Sequence, residues 1–170
     1  MDLGLKGKTA FITGSSAGIG TAIAKRLADE GANVIIHGRN AERAEKVAAS
    51  IRDAGGQAKV AIGDLSTDQG AASAIEAAIG AFGGIDIVVN NAGGFDATDW
   101  QNTPPEQWTK MYEQNMLSTV RVIRGPVEPL RQRGWGRYVQ ISTRLSAKPF
   151  AGSPASAASQ PLCLGQWPSS

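Results

Sequence analysis

Residues 13–20 read Thr-Gly-Ser-Ser-Ala-Gly-Ile-Gly, a spacing suited to holding a phosphate. Gly14 permits a tight turn, Gly18 lets backbone approach a pyrophosphate, and Gly20 lets a helix pack closely on a strand. The phosphate would rest on unpaired N–H groups at the positive end of the helix dipole. Read alone, such glycines also describe an ordinary turn and helix cap. Arg39 stands where a guanidinium could grip a 2′-phosphate through two charge-assisted hydrogen bonds; a solvated loop arginine is the alternative. An acidic residue there would select NAD through the ribose hydroxyls, so His37-Gly38-Arg39-Asn40 favours NADP over NAD. Asp64 could accept from an adenine amino group, or it is a turn aspartate of the N-cap kind. In Asn90-Asn91-Ala92-Gly93-Gly94 the asparagines could bond neighbouring backbone, while Ala92 and Gly93 leave room for a ribose. A bare turn would also use Asn and Gly.

Strands alternating with helices must position these groups. Apolar runs at residues 9–12, 33–37, 58–62, 85–89 and 136–141 predict five strands. The one at 85–89 is apolar on both faces, as a central parallel strand should be. A first helix opens out of the glycine stretch, with Ile19, Ile23, Ala24 and Leu27 on one face. Others are predicted over 41–54, closed by Gly55 and Gly56, over 67–82, stopped by Gly83 and Gly84, and from Pro104-Pro105 to about Arg124. Gly125-Pro126 breaks or kinks that last helix. His37 is read as the edge of a strand, without a role. The expected fold class is α/β, a Rossmann-like doubly wound parallel sheet truncated after about five strands. Residues 1–150 are expected to form a dinucleotide-binding domain. Residues 151–170, rich in Ala, Ser, Gly and Pro, are expected to be an irregular tail with a short helix over about 155–160.

A chain of 170 residues suits one domain. Charged residues make up 19% and the net charge is +2, with Lys and Arg spread along the chain, so no nucleic-acid partner is expected. Cys163 is the only cysteine, which fits a reducing compartment. The N-terminus lacks the apolar core of a signal peptide and no apolar run is long enough to span a membrane. A cytoplasmic protein is expected, with no membrane partner.

Taken in order, Thr-Gly-x-x-x-Gly-Ile-Gly (13–20), Asp64-Leu65, Asn-Asn-Ala-Gly (90–93), Asn115 in the long helix and Gly-x-x-x-x-Ile-Ser-Thr (136–143) resemble the short-chain dehydrogenase/reductases. The resemblance covers about residues 5–160. It implies a Rossmann fold, a nicotinamide cofactor and hydride transfer with an alcohol or carbonyl. It further implies cofactor contacts at Gly14, Ser15, Ser16, Ile19, Gly20, Arg39, Asp64, Leu65, Asn91 and Gly93.

The family's active site joins Asn, Ser, Tyr and Lys. By the resemblance, Asn115 takes the first place and Thr143 the second, lying 28 residues further on; Ser142 is the second candidate there. Tyrosine and lysine are missing, because Ser156 and Gln160 stand in their positions. A serine hydroxyl is far too weak an acid to replace a tuned phenol, and Gln160 carries no charge to lower a neighbour's pKa. Losing a positioned general acid costs about 10²- to 10⁴-fold in rate. Tyr112 and Tyr138 do not match the motif and are read as packing residues.

Family members also run on further, with two more strands and a loop covering the substrate. The tail from Pro161 does not resemble that continuation. Three readings follow. One is an NADP-dependent oxidoreductase with a pocket lined by Phe95, Trp100, Thr143 and Leu145. Another is a catalytically incompetent dinucleotide-binding relative. The third is a self-associating remnant, a homo-oligomer paired through its bare fifth strand.

Overall fold

A computed structural model of the chain describes residues 3–143 and 152–160. Five parallel strands, β1 Thr9–Ile12, β2 Asn33–Gly38, β3 Gln57–Ile62, β4 Ile87–Asn90 and β5 Arg137–Gln140, form one sheet in the order β3-β2-β1-β4-β5. The order reverses between β1 and β4, where such sheets open a crevice at their carboxyl ends.

Burial explains which runs became which strands. β1 and β4 are buried at every position because helices cover both faces of the sheet. Alternate residues supply two cores. Ile12, Val34 and Ile36 pack with Ala24, Ala48 and Ile51 on one face. Phe11, Ile35 and Val88 pack with Ala74, Ala78 and Val122 on the other. β3 and β5 lie at the edges of the sheet and alternate between exposed and more covered positions.

Helices α1 Gly18–Asp29, α2 Ala41–Asp53 and α3 Asp68–Phe82 start and stop on legible signals. Asn40 Oδ1 accepts from the Arg43 N–H at the head of α2, and Thr67 Oγ1 accepts from the Gly70 N–H at the head of α3. α3 buries Ala71, Ala74 and Ala78, small side chains that let it lie close to the sheet.

The long helix predicted from Pro105 to Arg124 is not uniform. It consists of α4 Pro105–Tyr112, a π turn Glu113–Leu117 and α5 Ser118–Arg124. The Ser118 hydroxyl donates to the Gln114 carbonyl at 2.6 Å and Thr119 Oγ1 to the Asn115 carbonyl at 3.2 Å, occupying carbonyls of the wide turn. Beyond Gly125-Pro126 the chain resumes as α6 Val127–Gln132, a helix the sequence reading did not foresee. α7 Pro154–Ala158 packs on α4, burying Ala155, Ser156 and Ala157. The expected tail beyond residue 160, with Cys163, and Leu145 of the expected pocket lie outside the described residues.

Candidate active site at the carboxyl end of the sheet

The turn after β1 is fixed from three sides. Gly14 has φ +65°, and a Cβ there would stand 2.9 Å from Ala92 Cα. At Gly20 a Cβ would meet Asn91 Nδ2 at 2.6 Å and the Gly14 carbonyl at 2.7 Å, so α1 can seat against the loop after β4 only with glycine in that place. Thr13 Oγ1 accepts from the Asn91 and Ala92 N–H groups, both at 2.9 Å, and Asn91 Nδ2 donates to the Thr13 carbonyl at 3.0 Å. Gly18 opens α1, and the space where its Cβ would stand is clear. Ala17, the residue before it, offers no side-chain cap, so the first N–H groups of the helix are not met by a protein side chain there.

Ser15 departs from expectation. Its hydroxyl, wholly buried, donates to the Ile12 carbonyl at 2.7 Å and accepts from the His37 N–H at 2.9 Å. The side chain is a strut inside the turn, not a surface toward a ligand. His37, given no role above, is the residue that sequence reasoning missed. It is 3% exposed; Nδ1 accepts from the Gly14 N–H at 3.0 Å and Nε2 meets the Gly63 carbonyl at 3.2 Å. Desolvation lowers its pKa to about 4, against the opposing pull of the Gly63 carbonyl and the Asp64 charge.

A cleft of about 320 Å³ opens over these groups, lined among others by Gly14, Ser16, Arg39, Asp64, Leu65, Ala92 and Gly93. Arg43, from the first turn of α2, joins them and was not foreseen. Arg39 holds a largely exposed guanidinium 4.0 Å from the Asp64 carboxylate. Asp64 Oδ1 accepts from the Ser66 hydroxyl (2.7 Å) and N–H (3.0 Å). That hydroxyl, chiefly, holds the carboxyl below the usual range; partial burial opposes it, and the Ser66 N–H and Arg39 assist. Asp64 is thus the aspartate of a tight turn, and its other oxygen faces Arg39 across the cleft.

A second cavity, about 250 Å³, adjoins the first across Ala92, Gly93 and Gly94. Ile19, Asn91, Phe95, Asn115, Ser142, Thr143 and Gln160 help to line it. The π turn presents Asn115 inward: Oδ1 accepts from the Gly94 N–H at 2.7 Å and Nδ2 donates to Ser159 Oγ at 2.8 Å. Ser142 Oγ lies 3.5 Å from Gln160 Oε1. Ser156 is not among these lining residues. Its hydroxyl, wholly buried, accepts from the Asp96 N–H at 2.8 Å and lies 3.5 Å from Met111 Sδ. Trp100, expected in the pocket, instead stacks on Trp108 with ring centroids 5.0 Å apart. Tyr138 donates to the Ile123 carbonyl at 3.1 Å, and burial pushes its phenol up to about 12. Tyr112 is 40% exposed on α4, which is more open than a packing residue should be.

The chain is similar in sequence and fold to known proteins. Residues 8–161 match the family model described as short chain dehydrogenase. The chain is 35% identical over 151 residues to the uncharacterized oxidoreductase YvaG of Bacillus subtilis (strain 168), covering 88% of this chain and 56% of that protein. It superimposes with a TM-score of 0.91 and 33% identity on L-sorbose reductase from Gluconobacter frateurii, solved with NADPH and L-sorbose, covering 95% of this chain and 62% of the other. It also superimposes, with a TM-score of 0.89 and 31% identity, on 7α-hydroxysteroid dehydrogenase solved with NADH and a 7-oxo bile acid, covering 93% and 62%. The chain thus spans a little over half the length of these three proteins. With residues 8–161 matched to that model, nearly the whole of the described chain, this chain belongs to the short-chain dehydrogenase family.

Proposed function

We propose that the chain binds a nicotinamide dinucleotide, NADP(H) in preference to NAD(H), along the carboxyl end of the sheet, and that its own turnover of alcohols or carbonyls is little or none. The observation that carries the binding reading is that the two cavities share Ala92, Gly93 and Gly94 in their walls, with Arg39 lining the first and Thr143 the second. Gly14, Ser16, Gly18 and Ile19 would hold the phosphates, Leu65 and Asp64 the adenine, and Asn91, Ala92 and Gly93 the second ribose. The cofactor, when bound, would supply or accept a hydride. Arg39, which lines the first cavity with Arg43 and keeps its guanidinium largely in solvent 4.0 Å from the Asp64 carboxylate, supports the preference for a 2′-phosphate.

The expectation of weak turnover rests on which groups can deliver a proton. Asn115 and Thr143 line the second cavity, but neither is an acid at neutral pH. Ser156 is turned to the Asp96 backbone, and Gln160 is uncharged. The Tyr138 phenol is held even more weakly acidic than usual. The test is NADPH oxidation against a panel of aldehydes and ketones, with the Ser156→Tyr/Gln160→Lys double variant alongside. Near-background rates from the unmodified chain are expected; robust turnover would overturn the reading.

Self-association is a second reading, favoured by one observation. Val139, on the outer strand β5, is 44% exposed. Sedimentation as a clean monomer at high concentration would count against it.

A further inference from the structure

His37 takes no part in the chemistry proposed above, yet it joins three segments beneath the first cavity. It lies near the end of β2, with its ring edge-on to Phe11 (centroids 5.7 Å apart, planes at 85°). The Gly14 N–H can only donate and the Gly63 carbonyl can only accept. Those two partners fix both ring nitrogens: Nδ1 carries the lone pair and Nε2 the proton. The main chain of the same residue adds two bonds. Its N–H donates to Ser15 Oγ at 2.9 Å, and its carbonyl accepts from the Ser16 N–H at 3.2 Å. The turn after β1 is therefore caged by Ala92 on one side and tied to β2 on the other, while the loop after β3 hangs from the same ring.

We propose that His37 is a positioning residue of the nucleotide site, whose neutral ring, acceptor at Nδ1 and donor at Nε2, sets the spacing between the Gly14 turn and the Gly63–Asp64 loop. The inference rests on the nucleotide-binding reading given above. The low pKa of the buried ring is consistent with it, since a proton on Nδ1 would face the Gly14 N–H donor to donor.

Asparagine can place an Oδ1 near the site of Nδ1 and keep the Gly14 bond. Glutamine reaches toward Gly63 and leaves Gly14 unpaired, and phenylalanine supplies neither bond. The test measures adenosine 2′,5′-bisphosphate and NADP⁺ binding by calorimetry to the full chain and to His37→Asn, His37→Gln and His37→Phe. The ring ¹⁵N shifts of the unmodified protein are recorded beside them at pH 7. The expected result is binding weakened about tenfold or more in His37→Phe, which loses both buried ring bonds, and partly rescued in His37→Asn, which keeps the one to Gly14. The ¹⁵N shifts should report a bare Nδ1 and a protonated Nε2. Binding indifferent to residue 37, or a protonated Nδ1, would overturn this proposal and leave the nucleotide reading standing. Failure of the unmodified chain to bind either nucleotide would sink both.

Discussion

The two cavities are built from similar material and arranged to opposite effect. Under the first cavity the side chains of Thr13, Ser15, His37 and Asn91 bond backbone, and in doing so hold an open cleft with a clear helix N-terminus and an exposed guanidinium. Around the second cavity, Asn115, Ser159 and Ser156 bond one another or the 94–96 segment. Among the described residues, no tyrosine or lysine lines it. Polar groups that organise backbone thus leave one end ready for a ligand. At the other end they tie α7 to the loop after β4 without presenting an acid. Hydrogen bonding is abundant at both ends; what distinguishes them is which groups still face the cavity.

The comparison breaks most visibly if the second end can be rebuilt. Ser156→Tyr/Gln160→Lys restores a phenol and an ammonium in the family's positions, and should raise NADPH oxidation by about 10²-fold or more over the unmodified chain. A double variant that folds, binds NADPH and stays at background would show that the missing phenol and ammonium are not what limits this end.

The next effect concerns the first end and pH. His37 has a folded pKa of about 4 against about 6.5 when unfolded, so the folded state resists protonation. Stability should be full above about pH 6.5, fall as pH drops toward 4, and level off below, losing roughly 3 kcal/mol in all from this group. Asp64 acts on the ring as a charge, and Arg39 lies on the far side of that carboxylate. Urea melts from pH 7 to pH 4.5 should show this slope in the unmodified chain and lose it in His37→Asn; equal slopes would contradict the assignment.

How much of this could be read in the residues varies by region. The central strands were legible because parallel strands covered on both faces read as unbroken apolar runs, as in Val34-Ile35-Ile36 and Val88-Val89. The glycine turn was legible because its spacing is set by sterics alone. The π turn was not: hydrophobic spacing cannot register one extra residue within a helix, and the signal is the inward asparagine bonded to Gly94. His37 escaped notice because its partners are backbone groups of distant loops. A polar residue following three buried apolar ones, with its own side chain turned inward, was the available hint. Trp100 looked like a pocket residue because an aromatic near a loop is ambiguous until its partner Trp108 is placed.

Smaller effects sharpen the contrast. Gly20→Ala should cost about 1–3 kcal/mol, since its methyl would press on Asn91 Nδ2 and the Gly14 carbonyl where the turn cannot give. Thermal melts with and without NADP⁺ check this, and an unchanged melt would show that α1 can shift. Arg39→Ala should lower the preference for NADPH over NADH by about tenfold, the loss of one charge-assisted contact at an exposed site. An unchanged ratio would remove Arg39 from the 2′-phosphate role.

The most direct measurement follows NADPH fluorescence in a single sample of the unmodified chain, first as a titration and then after adding saturating carbonyl substrates. Saturable binding followed by consumption indistinguishable from the protein-free rate is the expected result. Consumption well above that rate, from a chain whose second cavity shows no phenol or ammonium among the described residues, would contradict the account.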